Sequence, residues 1–156
     1  MNSFEKDWER CYSKEKFASM LSREMKALGT MEETKAISEL RDCLKQHYGL
    51  LCSAFLYFAA TGSGDLFHLS LNSFTAFLDE CSVVDAATKR SDCDTVFIVA
   101  NFAVDKKSPE YAHNNEQALM RFEFMEALVR IGKPPLTEKR WRSLKEPLFD
   151  SYIEVH

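Results

Sequence analysis

The side chains best placed for chemistry are three oxygen donors in the second half of the chain, Asn114, Glu116 and Glu123. With Leu119 counted as the eighth position of a loop, they fall at positions 3, 5 and 12. These are three of the places from which an EF-hand holds calcium. Position 1 would be Ala112 and position 6 Gln117, so the opening ligand and the glycine of the sharp turn are both missing. Glu123 reads instead as a first-turn acid, where the helix dipole favours negative charge. An upstream loop is poorer still. With Leu69 at position 8, its positions 1, 3, 5 and 12 are Gly62, Gly64, Leu66 and Ser73; with Leu66 there, they are Ala59, Thr61, Ser63 and Ser70. Neither register puts a carboxylate at those positions, and without anionic oxygens a site does not repay the dehydration of a divalent cation. The first loop is therefore expected to be empty. No metal and no other cofactor is expected, and an ion, if taken at all, would sit on Asn114, Glu116 and Glu123.

Other chemistries find less support. Cys11, Cys43, Cys52, Cys81 and Cys93 make an odd count without zinc-ligand spacing, and His47, His68, His113 and His156 are scattered. Free cysteines in apolar, helical contexts act as small hydrophobes, and the default compartment is a reducing, intracellular one. Thr61-Gly-Ser-Gly-Asp-Leu66 is the one glycine cluster, but it fits neither a P-loop nor a dinucleotide fingerprint and follows a helix-like run. It reads as a turn. No nucleophile–base pair is legible, so an enzyme is not expected.

The elements that would position these loops are written twice. Leu69-Ser-Leu-Asn-Ser-Phe-Thr-Ala-Phe-Leu78 and Leu119-Met-Arg-Phe-Glu-Phe-Met-Glu-Ala-Leu128 share a leucine, a phenylalanine five residues later (Phe74, Phe124) and a leucine four beyond that. Aromatic, helix-like runs precede both: Ala54-Phe-Leu-Tyr-Phe-Ala59 and Val96-Phe-Ile-Val-Ala-Asn101. Helix, loop, one apolar residue and a second helix opening on an aromatic is the grammar of an EF-hand, and two make a domain. The fold expected is all-α: a degenerate EF-hand pair over residues 30–132, with helices before it (1–29) and after it (133–156). Leu69, Phe74, Leu78, Phe97, Leu119, Phe124 and Leu128 are the expected core anchors, with Phe74 facing Phe124.

Along the rest of the chain, Phe4, Trp8 and Tyr12 fall at helical spacing, and Phe17, Met20, Leu21, Met25 and Leu28 continue the stripe. This is one helix or two, an arm or part of the core, with Ser13 a candidate N-cap and Gly29 a stop. Thr30-Met-Glu-Glu33 has capping-box spacing, and Gly49 marks a kink or a break before the run from Leu50 to Ala60. Ser70 should cap the helix of Phe74, and Ser91-Asp-Cys-Asp94 should start the helix of Phe97. A polar loop with Pro109, Asn114 and Asn115 follows, longer than an ordinary binding loop. Thr137 caps a further helix with Leu136 and Trp141 as a staple, Pro147 ends or kinks it, and an apolar pattern resumes at Phe149, Tyr152 and Ile153. The stop at His156, soon after, suggests a domain cut from a longer protein.

With 156 residues, 46% of them hydrophobic, and a net charge of −4, the composition suits one globular domain and argues against a dedicated nucleic-acid binder. No apolar run approaches the roughly 20 residues of a membrane span. Charge is uneven, however: Arg130, Lys133, Lys139, Arg140, Arg142 and Lys145 face a single acid, Glu138, between positions 130 and 145. The plain reading is a solvated helix face. The functional reading is a docking patch for an acidic partner.

Three phrases, Phe-Leu-Asp-Glu-Cys-Ser-Val-Val-Asp85, Asp-Cys-Asp-Thr-Val-Phe97 and Phe-Glu-Phe-Met-Glu-Ala-Leu128, occur in this order. In them the chain resembles the core of the tubulin polymerization-promoting protein family and EF-hand-like modules of ciliary and flagellar proteins. The likeness covers 69–85 and 91–131. It implies a non-enzymatic, calcium-poor protein-interaction module in the cytoplasm, associated with tubulin in microtubules or with axonemal proteins of a cilium or flagellum. The longer second loop, its Asn-Asn-Glu-Gln run and the helices before Ala54 depart from that pattern. A calcium-regulated sensor working through the second loop is the alternative.

Overall fold

The computed structural model describes residues 2–28, 32–62, 64–86, 88–102 and 117–132. The long loop's Pro109, Asn114, Asn115 and Glu116, and everything expected of 133–156, lie outside these residues. The described chain is all-α apart from two short strands. In order it forms α1 (Ser3–Tyr12), α2 (Glu15–Leu28), α3 (Glu33–Gln46), α4 (Tyr48–Gly62), β1 (Leu69–Ser70), α5 (Leu71–Glu80), α6 (Arg90–Ala100), β2 (Ala118–Leu119) and α7 (Arg121–Gly132).

The two copies of the repeated phrase are placed symmetrically. β1 and β2 pair antiparallel with Leu69 opposite Leu119, so the α4–β1–α5 and α6–β2–α7 units join at their equivalent leucines. The aromatic core crosses between the units. Phe55 of α4 meets Phe124 of α7, and Phe97 of α6 meets Phe74 of α5, both with ring centroids 5.7 Å apart at 48°. Phe55 and Phe97 occupy the same place in the two upstream runs, so each pair is the image of the other under an approximate two-fold. Phe74 and Phe124 themselves touch edge to face at 6.5 Å. Each such aromatic pair adds about 0.5–1.5 kcal/mol beyond its buried area. All seven expected anchors are buried, from Leu69 to Leu128.

Helix ends show how local signals yield to packing. Ser70 caps α5, its Oγ accepting the Ser73 N–H at 3.2 Å. Ser91 does not start α6: the helix begins at Arg90, and Asp92 accepts the Lys89 N–H instead. Ser13 closes α1 rather than opening α2, its hydroxyl donating to the Arg10 carbonyl at 2.9 Å. The break after α3 falls at His47, two residues before Gly49. α3 starts at Glu33 behind Glu32, which makes no side-chain cap bond. Thr30 lies outside the described residues, and Glu33 is drawn away from a capping role by the Ser22 hydroxyl and Lys26 of α2. α5 ends in a Schellman turn: Val83 N–H reaches the Leu78 carbonyl, Ser82 N–H reaches Asp79, and Ser82 sits at φ 55°.

α1 lies along α7, and α2 lies against α3. Phe4, Trp8 and Cys11, at i, i+4 and i+7, enter the same core as Phe17, Met20, Leu21 and Met25.

Candidate interaction surface

The loops come first, because they are where an ion would act. Pairing of Leu69 with Leu119 makes these two residues equivalent, which selects the register with Gly62 at position 1 and Ser73 at position 12 of the first loop. Gly62 and Ser73 approach so closely that a Cβ on Gly62 would fall 1.7 Å from Ser73 Oγ. Residues 62 and 73, the first and last positions of the expected loop, are therefore packed directly against each other. In the second loop Glu123, at position 12, is 1% exposed, and its Oε1 accepts the Met120 N–H at 2.9 Å. The first-turn acid expected from sequence is thus buried, with one carboxylate oxygen bonded to its own helix end. Asn114 and Glu116 lie outside the described residues. Among the described residues no three His, Cys, Asp or Glu side chains gather as a metal would require.

A second group of polar residues fastens α1 and α2 to the helix pair. Asp7 is 3% exposed and accepts from Arg121 Nε at 2.5 Å and from the Tyr48 hydroxyl at 2.5 Å. The buried Glu126 carboxylate takes Lys14 Nζ at 2.6 Å and Arg130 Nε at 3.0 Å. Lys14 also donates to the carbonyl of Ala100 at 2.8 Å. There the last turn of α6 leaves carbonyls free for a cation. Cys11 Sγ donates to the Phe122 carbonyl at 2.9 Å, and burial followed by the charge of Glu126 pushes its thiol up. Burial, then the hydrogen bond to Asp7, pushes the Tyr48 phenol up. The Cys11 thiol and the Tyr48 phenol are thereby held protonated.

Arg130 is the one member of the basic stretch within the described residues. It points inward, bonded to Glu126 one turn back and lying 5.8 Å from the Phe17 ring. Lys133, Lys139, Arg140, Arg142 and Lys145 lie outside the described residues. The sequence did not single out Asp7, Tyr48, Arg121, Lys14 and Glu126 as a set. The signal available was three charges, Asp7, Lys14 and Glu126, set beside otherwise apolar positions.

The outer surface offers two further features. A groove of about 440 Å³ runs along α1, lined by Glu5, Trp8, Glu9, Tyr12 and Ser13. Trp8 and Tyr12 stack at 5.7 Å and 17°, and Tyr12 is 41% exposed. Hydrogen bonds from Arg41 and then Lys45 hold the Glu5 carboxyl below its ordinary value. Elsewhere Leu66, Phe67 and Leu71 are exposed around the first loop, and Ile98 and Phe102 near the end of α6, where Lys16 lies over the Phe102 ring.

Comparison with protein-family models, with curated proteins and with solved structures finds no match for this chain.

Proposed function

We propose that the two helix–loop–helix units are a degenerate EF-hand pair serving as a calcium-independent protein-interaction module in a cytoskeletal protein. The observation that carries this reading is the close approach of Gly62 and Ser73. It packs positions 1 and 12 of the first loop against each other, and Glu123 is already engaged at the second. A hand whose ligand positions are engaged by its own atoms keeps its helices in one arrangement whatever the calcium level. Its role is then to present a surface. The partner proposed, on the strength of the sequence resemblance, is tubulin in microtubules or an axonemal protein. An acidic tail of such a partner would meet the basic residues Lys133, Lys139, Arg140, Arg142 and Lys145, with an affinity that falls steeply with salt. Arg130, committed to Glu126, contributes to the fold rather than to that contact.

Two measurements test the reading. Calorimetry at millimolar calcium should show no heat of binding and no change in melting temperature. A micromolar dissociation constant abolished by Glu123→Gln would replace the module with a calcium sensor acting through the second loop. Co-sedimentation with microtubules at low salt should be lost in a Lys139→Glu, Arg140→Glu, Arg142→Glu variant of unchanged helicity. Absence of co-sedimentation by the wild type would remove tubulin as the partner.

A further inference from the structure

The groove on α1 has a definite chemistry. Tyr12, stacked on Trp8, offers an aromatic face, and Glu5 and Glu9 flank it. Glu5 is already paired with Arg41 and Lys45. Glu9 has no ion pair among the described residues, so an exposed carboxylate stands beside an exposed aromatic ring. A ring beside a carboxylate suits a guanidinium or ammonium group, through cation–π attraction and charge together.

The chain carries such groups within reach. α1 and α7 run side by side in the same direction: Arg121 meets Asp7, Phe122 meets Cys11, Glu126 meets Lys14 and Arg130 lies against Phe17. α7 ends at Gly132, just past Phe17, and 24 residues follow it. Phe17 and Tyr12 are five residues apart across the turn between α1 and α2, so at most about 18 Å of chain separates them, and crossing one helix adds about 10 Å. The thirteen residues from Lys133 to Lys145 can span about 43 Å when extended. In sequence Lys139, Arg140, Arg142 and Lys145 flank Trp141, and Glu138 is the only acid between 133 and 145.

We propose that the Glu5–Trp8–Glu9–Tyr12 groove is the docking site of this chain's own segment 133–156, engaged through the cations around Trp141. The contact does not depend on a microtubule partner. Where an acidic partner exists, it competes with Glu9 for the same cations.

Zero-length carbodiimide cross-linking of the full-length protein tests this, since it joins a carboxylate only to an amine in contact with it. At low salt the monomer should yield a Glu9 cross-link to Lys133, Lys139 or Lys145. The yield should fall severalfold in half-molar salt and in Tyr12→Ala, and the cross-link should vanish in Glu9→Gln. Glu9 is exposed, so that last variant should fold as the wild type does by circular dichroism. An equal mixture of isotopically light and heavy protein separates the alternatives. Mixed-isotope cross-links confined to a dimer would assign the groove to a second copy and overturn the proposal. So would a missing Glu9 cross-link, or lysine cross-links spread evenly over remote exposed carboxylates such as Glu39.

Discussion

Glu126→Gln is the sharpest probe of how the N-terminal helices are held. Glu126 is 0% exposed and sits between two cations, Lys14 at 2.6 Å and Arg130 at 3.0 Å, whose side chains are only 14% and 15% exposed. Glutamine keeps the shape and one acceptor oxygen but removes the charge. Two largely dehydrated cations would then face each other without compensation. Breaking a buried ion pair from one side costs about 3–5 kcal/mol, a large share of the roughly 5–15 kcal/mol that holds a domain together. Lys14→Met should cost at least about 1.5–3 kcal/mol: Arg130 still serves the carboxylate, but the charged hydrogen bonds to Glu126 and to the Ala100 carbonyl are both lost. The double variant is the decisive one. With Lys14 gone, Glu126→Gln strands one cation instead of two, so the combined cost should fall short of the sum by about 1 kcal/mol or more. Urea unfolding followed by helical circular dichroism measures all three. If Glu126→Gln lies within about 0.5 kcal/mol of wild type, as surface substitutions do, the cluster is wet and α1 and α2 are held by apolar contacts alone.

Three more outcomes follow from the geometry. Phe74→Ala and Phe124→Ala should each cost about 3–5 kcal/mol in the same assay, because they make equivalent cross-unit pairs; a variant within a few tenths of wild type would show that the repeat does not anchor the core. Ser82→Gly should stabilise the chain by about 1 kcal/mol, since Ser82 holds a left-handed conformation that glycine adopts freely; a loss of stability would contradict the Schellman reading. Glu5 titrates below its ordinary 4.5 because Arg41 and Lys45 favour its charged form, so its contribution is present above that pH and is lost as pH falls through the lowered value. Glu5→Gln should lower stability at neutral pH and leave it nearly unchanged at low pH, where Glu5 is protonated, so the acid limb flattens; an unaltered acid limb would show the pairing to be idle.

How much of this was legible in the sequence depended on whether a signal was local. Leu69, Leu119, Phe74 and Phe124 could be read because the chain repeats its own spacing, while the pairing of Phe55 with Phe124 and of Phe97 with Phe74 across the units appears only in the structure. The helix starts were less legible. Ser91 has the better capping side chain, yet α6 begins at Arg90, because helix ends are set by where the apolar face meets the core as well as by cap preference. The polar pins were not legible. Asp7 and Arg121 lie 114 positions apart and Lys14 and Glu126 lie 112 apart, and no periodicity links such residues. Arg130 looked like one of a row of surface cations. Glu126, four residues earlier on the same helix, turns it inward.

The first loop has no carboxylate at position 1, which invites an attempt to supply one, and the structure says how that should fail. Gly62→Asp would restore a carboxylate to position 1. On helix propensity alone, replacing the last glycine of α4 should help, since glycine costs about 1 kcal/mol relative to alanine in a helix. The new Cβ, however, would lie 1.7 Å from Ser73 Oγ and 3.1 Å from Ser73 Cβ. Ser73 cannot swing aside without loss, because its hydroxyl and its N–H both bond to the Ser70 side chain that caps α5. Overpacking of this kind costs about 1–3 kcal/mol and outweighs the propensity gain. Gly62→Asp and Gly62→Ala should therefore both lower the melting temperature, and calorimetry should detect no micromolar calcium binding to either. Adding Ser73→Ala removes the nearer clash but keeps the Cβ contact and gives up the Ser70 bond, so only part of the loss should return. Tight calcium binding by Gly62→Asp would mean that positions 1 and 12 can open around an ion, and that the loop is a weakened calcium site rather than a filled one.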